Sequence, residues 1–361
     1  MDQVVPTSTP GVPWNSYGPT NRHVLESARD VISRAVAQSF ANMVFHGEKV
    51  FDMDAEQLVL NGIRDPVRVF IKNEPHKKSK ADTGMWRLIS GVSLVDQIKE
   101  RIIGRFQNEA EIDSWVTCPS KPGIGLDDES LLEVAVCLRD MLSRGLVCSS
   151  DISGFDWSVK GWELRADAER RRQLAGASEA SLFNFLLRVQ AHCVANSVLV
   201  LPDGLMWAQL REGIQLSGSY WTSSTNSAMR LLMTLVARIR SGVAPDPIDQ
   251  ITMGDDSVER YWEGLDVALR ELGHEVKFVK IYRSIADVEF CSHLWRDDGL
   301  AVPVNPWKTL FRYLSHPPDS TSYLDWRAQL MYFVRHSQEL HRYRRQIDAR
   351  AERANKVIDN D

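Results

Sequence analysis

Two adjacent acids sit in a glycine turn, Gly254-Asp255-Asp256, between two short apolar runs at residues 248–253 and 257–260. Runs of that length separated by a tight turn predict an antiparallel hairpin. Another acid, Asp151, stands at the end of the apolar run Leu146–Ile152, which predicts a buried strand. If that strand neighbours the hairpin in one sheet, the carboxylates converge. Converging carboxylates repel and stay close only where a cation neutralises them. Hard oxygen ligands suit Mg²⁺ or Mn²⁺. Two such ions about 4 Å apart are the arrangement for nucleotidyl transfer, one activating a 3′-hydroxyl and one holding the triphosphate. Asp151 and Asp255 are the expected ligands and Asp256 an assisting one. Gly-Asp-Asp alone also spells an ordinary surface turn, so the reading depends on what accompanies it.

The rest of the chain supplies a mixed α+β frame. Residues 1–20 are rich in proline and glycine and predict an irregular loop. Helices are expected at 22–41, with Asn21 as a possible cap, and at 54–61, 94–106, 127–143, 160–174, 178–192, 223–240 and 261–272. Strands are expected at 67–72, 86–90, 275–281 and 287–292, with more near 294–302. Residues 75–84 predict a polar basic loop. Pro202-Asp203-Gly204 predicts a hairpin between 198–201 and 205–209. From about 322 onward the pattern is helical. The order strand, helices, hairpin, helix, hairpin, helix, strand suggests one central antiparallel sheet with helices on one face, and the basic strand-loop-strand outside it.

Charge narrows the function. The net charge of −5 argues against a general nucleic-acid coat. Yet Arg68 to Arg87 holds six basic residues against two acidic ones, and Arg335 to Lys356 holds seven against three. Five unclustered cysteines predict a reducing compartment without disulfides or structural zinc. No apolar run approaches the length of a membrane span, and the N-terminus has no signal-peptide pattern.

Other segments carry a resemblance. Asp151 and Asp156 fit D-x4-D. Ser217-Gly218-Ser219-Tyr220-Trp221-Thr222-Ser223-Ser224-Thr225-Asn226 fits S-G-x3-T-x3-N, 66 residues after Asp151 and 38 before Asp255. Together with Gly254-Asp255-Asp256, the chain resembles the RNA-dependent RNA polymerases of positive-strand RNA viruses, most like the sobemovirus-like group and its luteovirus-type relatives. The matching segments run from residue 8 to about 295.

The resemblance implies a right-hand fold of fingers, palm and thumb, with an antiparallel palm sheet packed on helices. It divides the chain into fingers and fingertips (1–145), palm (146–160), a fingers insertion (161–209), palm again (210–293) and thumb (294–361). Lys280, or else Lys277, would be the basic residue of the fourth palm motif and a general acid toward pyrophosphate. Phe290-Cys291-Ser292-His293 would be the fifth. Lys72-Asn73-Glu74-Pro75-His76-Lys77 through Arg87 looks like the fingers motif that meets triphosphate, where the planar Arg87 fork suits phosphate. Thr9-Pro10-Gly11-Val12-Pro13-Trp14 looks like a template loop.

Asp156, Asn226 and Thr222 would check the ribose 2′-hydroxyl, since a site built to bond it penalises a sugar lacking it. Ser217 would join that nucleotide contact, and Gly218 would let backbone approach the RNA. Pro10, Gly11, Lys77, His293, Arg342 and Arg345 would meet RNA through phosphate and sugar rather than base edges. The implied ligands are two Mg²⁺ or Mn²⁺ ions, ribonucleoside triphosphates, an RNA template and its product strand. A protein primer and other viral replication proteins are further candidates. The expected location is the host cytoplasm, in a membrane-associated complex through partners. A reverse transcriptase would carry a bulky apolar residue in place of Asp156. A non-catalytic RNA-binding protein would have no use for converging acids.

Overall fold

The computed structural model describes residues 3–315, apart from residues 73, 75 and 77, and residues 323–358. Its helices are α1 (Asn21–His46), α2 (Ala55–Leu60), α3 (Lys78–Asp82), α4 (Leu94–Asp113), α5 (Asp128–Ser143), α6 (Phe155–Ser158), α7 (Gly161–Leu174) and α8 (Leu182–Ala195). They continue with α9 (Thr222–Arg240), α10 (Leu265–Glu271), α11 (Pro306–Leu314), α12 (Tyr323–Phe333), α13 (Gln338–His341) and α14 (Arg344–Ile358). The strands are β1 (Val67–Ile71), β2 (Leu88–Gly91), β3 (Val147–Ile152), β4 (Val198–Val200), β5 (Met206–Ala208), β6 (Gln250–Met253), β7 (Asp256–Arg260), β8 (Val276–Tyr282), β9 (Glu289–Phe290), β10 (His293–Trp295) and β11 (Ala301–Pro303).

The central sheet has the order β6-β7-β3-β8, and every pairing in it is antiparallel. Strand alternation splits its side chains between two cores. Cys148, Ile152 and Val276 pack with Met229, Met233, Leu265 and Leu269 of α9 and α10. Val147, Ile251, Val258 and Tyr282 pack with Leu131, Val134 and Leu138 of α5. Helices therefore cover both faces, one more layer than the chain order suggested.

Two charged ties run through this unit. Arg230 of α9 reaches Glu259 of β7 at 3.0 Å, both fully buried, and also bonds Ser150. Asp249, almost wholly buried, receives Arg144 at 2.7 Å, Arg260 at 3.0 Å and Arg238 at 3.2 Å.

Some expectations need correction. The hairpin at 198–209 forms, but β4 pairs in parallel with β1, so it joins an outer sheet of order β2-β1-β4-β5 rather than the central unit. Asn21 is no cap. It lies inside α1, buried, with its amide donating to the Val5 carbonyl at 2.9 Å. Helix α1 runs on to His46 and α4 to Asp113, because no Gly or Pro falls in residues 42–46 or 107–113 to stop them. Residues 78–82 of the basic loop close into the short α3, and α11 was not anticipated. The third sheet, β11-β10-β9, leads into α11–α14.

Candidate active site

Strand order decides where the acids meet. β7 lies beside β3, so the β6–β7 turn and the end of β3 share one edge of the sheet. Gly254 turns the chain with φ +61°, a conformation that a side chain would strain. Its N–H donates to the Ser227 hydroxyl at 2.7 Å, while Thr252 Oγ1 donates to the Ser227 carbonyl at 2.8 Å. The first turns of α9 thus hold the hairpin.

The acids feel one another. The Asp256 carboxyl is pushed up to about 7 by burial first, then by Asp255, Asp151 and Glu289. The residue's surface is open to solvent, so water screens part of that effect. Asp156 is raised by burial and by Asp255, against a bond from Asn226 and the charge of Arg87. Burial and the charges of Asp256 and Asp255 push the Cys291 thiol up as well. Cys291 and Ser292, with φ +50° and +58°, form the tip of the β9–β10 hairpin, which brings this turn to the acids.

Lys277 is the lysine at the cluster. Its Nζ lies 3.0 Å from each oxygen of Asp151. Lys280 instead lies 3.6 Å from Glu289 and 5.2 Å from the ring centre of Tyr282. The preference for Lys280 is corrected by a bulge. Asp151 pairs with Phe278 and Ile152 with Val276, so Lys277 is the extra residue. A bulge re-aims side chains that simple alternation would send to the other face.

The ribose candidates divide. Asn226, buried in α9, donates from Nδ2 to Asp156 Oδ1 at 2.8 Å. Its Oδ1 is also buried and has no hydrogen-bond partner among the described residues. Thr222 is turned toward its own loop. Its hydroxyl is held by the Leu216 carbonyl at 2.6 Å and the Ser219 carbonyl at 2.9 Å, bracing the start of α9. Ser217 accepts from the Ser90 N–H at 3.0 Å. A Cβ on Gly218 would come within 2.1 Å of the Ser90 carbonyl, so only glycine lets this loop lie on β2.

Sequence reasoning missed Glu100. Fully buried in α4, it accepts from Tyr220 N at 2.7 Å, Gln190 Nε2 at 2.8 Å and Ser219 Oγ at 3.0 Å, and so fixes the same loop from below. A signal was present. Asp96, Lys99, Glu100 and Ile103 follow the i, i+3, i+4, i+7 spacing of one helical face, and all four are buried.

Arg87 and Lys72 share Glu74, at 2.6 and 3.2 Å. Burial alone would raise the Glu74 carboxyl. Lys72 and Arg87, with Lys308 of α11, hold it below the ordinary range. Arg87 remains half exposed. Lys77 lies outside the described residues.

Pro10 and Gly11 are buried, with the Pro10 carbonyl accepting from Leu94 N at 2.7 Å. They shape the loop rather than present a surface, and Trp14 Nε1 fastens it to Asp65 at 2.7 Å. His293 is corrected too. It is buried, with Nδ1 2.9 Å from the Cys291 carbonyl and its ring edge-on to Phe333 at 4.9 Å. Arg342 and Arg345 are exposed on α13–α14, the former 3.9 Å from Glu339.

The acids fit a divalent cation by chemistry, being oxygen donors whose mutual repulsion the single Lys277 ammonium on Asp151 relieves only in part. In this conformation no three His, Cys, Asp or Glu side chains among the described residues form a ready-made cage.

Comparison with known proteins gives a consistent result. A family described as viral RNA-directed RNA polymerase matches residues 1–305. The RNA-directed RNA polymerase of Mushroom bacilliform virus is 46% identical over 354 residues, covering 97% of this chain and 84% of that one. Replicase polyprotein P2AB of Southern bean mosaic virus is 41% identical over 321 residues, covering 85% of this chain. The match spans only 31% of that polyprotein. Among solved structures, the Sicinivirus 3Dpol RNA-dependent RNA polymerase superposes with a TM-score of 0.71 at 15% identity, over 98% of this chain and 74% of the other. That likeness establishes the right-hand polymerase fold.

Proposed function

This chain belongs to the family of viral RNA-directed RNA polymerases, and from that premise we propose that it extends RNA on an RNA template by two-metal-ion nucleotidyl transfer. The observation that carries the mechanism is the acidic edge of the central sheet, where Asp151 and Asp255 both raise the Asp256 carboxyl. Asp151 and Asp255 would hold the ions, Mg²⁺ or Mn²⁺, with Asp256 beside them. Such ions supply the positive charge that activates a 3′-hydroxyl and stabilises departing pyrophosphate.

The chain's own groups do the rest. Arg87, whose charge is felt by Asp156, and Lys72, which shares Glu74 with it, would offer donors to a triphosphate. Asp156 accepts from the Asn226 amide and so fixes its orientation, and the pair would meet the ribose 2′-hydroxyl. Exposed Arg342 and Arg345 suit the phosphates of template or product. Protein primers, other replication proteins and a membrane-associated site in the host cytoplasm remain part of this proposal through the family. No helix among the described residues is long and apolar enough to cross a membrane.

Primer extension tests the ribose assignment. Asn226→Ala and Asp156→Ala are expected to lower the preference for ribonucleotides over deoxyribonucleotides by about tenfold or more. Unchanged discrimination in both variants would remove the assignment.

Metal-dependent melting tests the acidic site. The raised Asp256 carboxyl binds a proton in the folded state that the unfolded chain has already released. Stability of the metal-free protein therefore falls between about pH 4 and pH 7 from this group. A divalent ion favours the ionised form, so Mn²⁺ should raise the melting temperature more at pH 8 than at pH 6. An equal rise at both pH values would count against a site containing Asp256.

A further inference from the structure

The ammonium of Lys277 sits where a divalent cation would need to bind. It lies 3.0 Å from both oxygens of Asp151, so it occupies the carboxylate symmetrically. The placement is built in, because the bulge on β8 makes Lys277 the extra residue opposite Asp151. Each partner is wet, with side-chain exposures of 48% for Lys277 and 37% for Asp151. An exposed ion pair is weak and readily exchanged. β8 is also the edge strand of the sheet.

We infer that Lys277 is the resident counter-cation of the acidic site, balancing Asp151 in the metal-free enzyme and leaving it when a divalent ion arrives. The inference rests on the metal reading proposed above. A hard divalent ion needs carboxylate oxygens at close range, and an ammonium on the same oxygens opposes it by occupancy and by like charge. Metal binding is then an exchange of one cation for another. Lys280, paired with Glu289, is the internal control.

Mn²⁺ binding to the full chain, followed by the paramagnetic resonance of free Mn²⁺, tests this without any measure of synthesis. Lys277→Met keeps the length and removes the charge. It should bind Mn²⁺ about twofold to fivefold more tightly than wild type, the range that an exposed ion pair supplies. Lys277→Arg should restore wild-type affinity, and Lys280→Met should leave it unchanged. Equal or weaker binding by Lys277→Met overturns the inference, as does a Lys280→Met effect of the same size. Asp255→Asn separates the two ideas. If it binds Mn²⁺ as tightly as wild type, the metal reading itself fails. If it loses binding while Lys277→Met matches wild type, only the role of Lys277 fails.

Discussion

Asp255→Asn is expected to cut nucleotide incorporation by on the order of 10³-fold, the scale seen when a preorganised group aimed at transition-state charge is removed. The amide keeps the size of the side chain and loses the charge that a cation would need. The fold should not notice. Asp255 is exposed, and the turn is held by Gly254 N on Ser227 Oγ and by the β6–β7 ladder rather than by the Asp255 side chain. Primer extension in Mg²⁺ and in Mn²⁺, beside a thermal melt, gives both readings at once. Near-normal synthesis would end the assignment of this acid. A collapsed melt would show instead that the turn depends on the carboxylate.

Glu259→Ala should produce the largest change in stability. Glu259 and Arg230 are both fully buried, so removing the acid strands a guanidinium inside the protein. Breaking such a pair from one side costs about 3–5 kcal/mol, a fall in melting temperature of about 4–7 °C for a chain of this length. Synthesis should fall as well, since Arg230 also holds Ser150, the neighbour of Asp151. Replacing both partners with apolar residues of similar size should recover most of the stability. A single variant that melts within about 2 °C of wild type would show that the pair is not what joins α9 to the sheet.

These two residues illustrate what the amino-acid order discloses. Gly254-Asp255-Asp256 between two apolar runs announces its hairpin because glycine, acids and flanking strands all act locally. The α+β frame and β3 are readable for the same reason. Glu259 looks like one more charged strand residue, and its burial is set by Arg230, 29 positions earlier in the chain. The motif leaves Lys277 and Lys280 as rivals, and what separates them is a bulge that short-range sequence pattern does not announce. Thr222 fits a motif, but its hydroxyl closes its own loop. His293 stands in the right segment, and tertiary packing hides it. The outer sheet escaped because Val67 and Arg68 of β1 meet parallel partners in β4 132 positions further on, whereas hairpins advertise themselves at short range.

Asp249 has a mechanical consequence. Three arginines clamp it at the start of β6, and the acidic turn stands at the other end of that strand. Four residues of strand make an arm of about 13 Å. A tilt of about 4° at the clamp swings the tip by roughly 1 Å, a misplacement that can cost about 10²-fold in rate. Substitutions at this remote anchor should therefore register as lost turnover as well as lost stability.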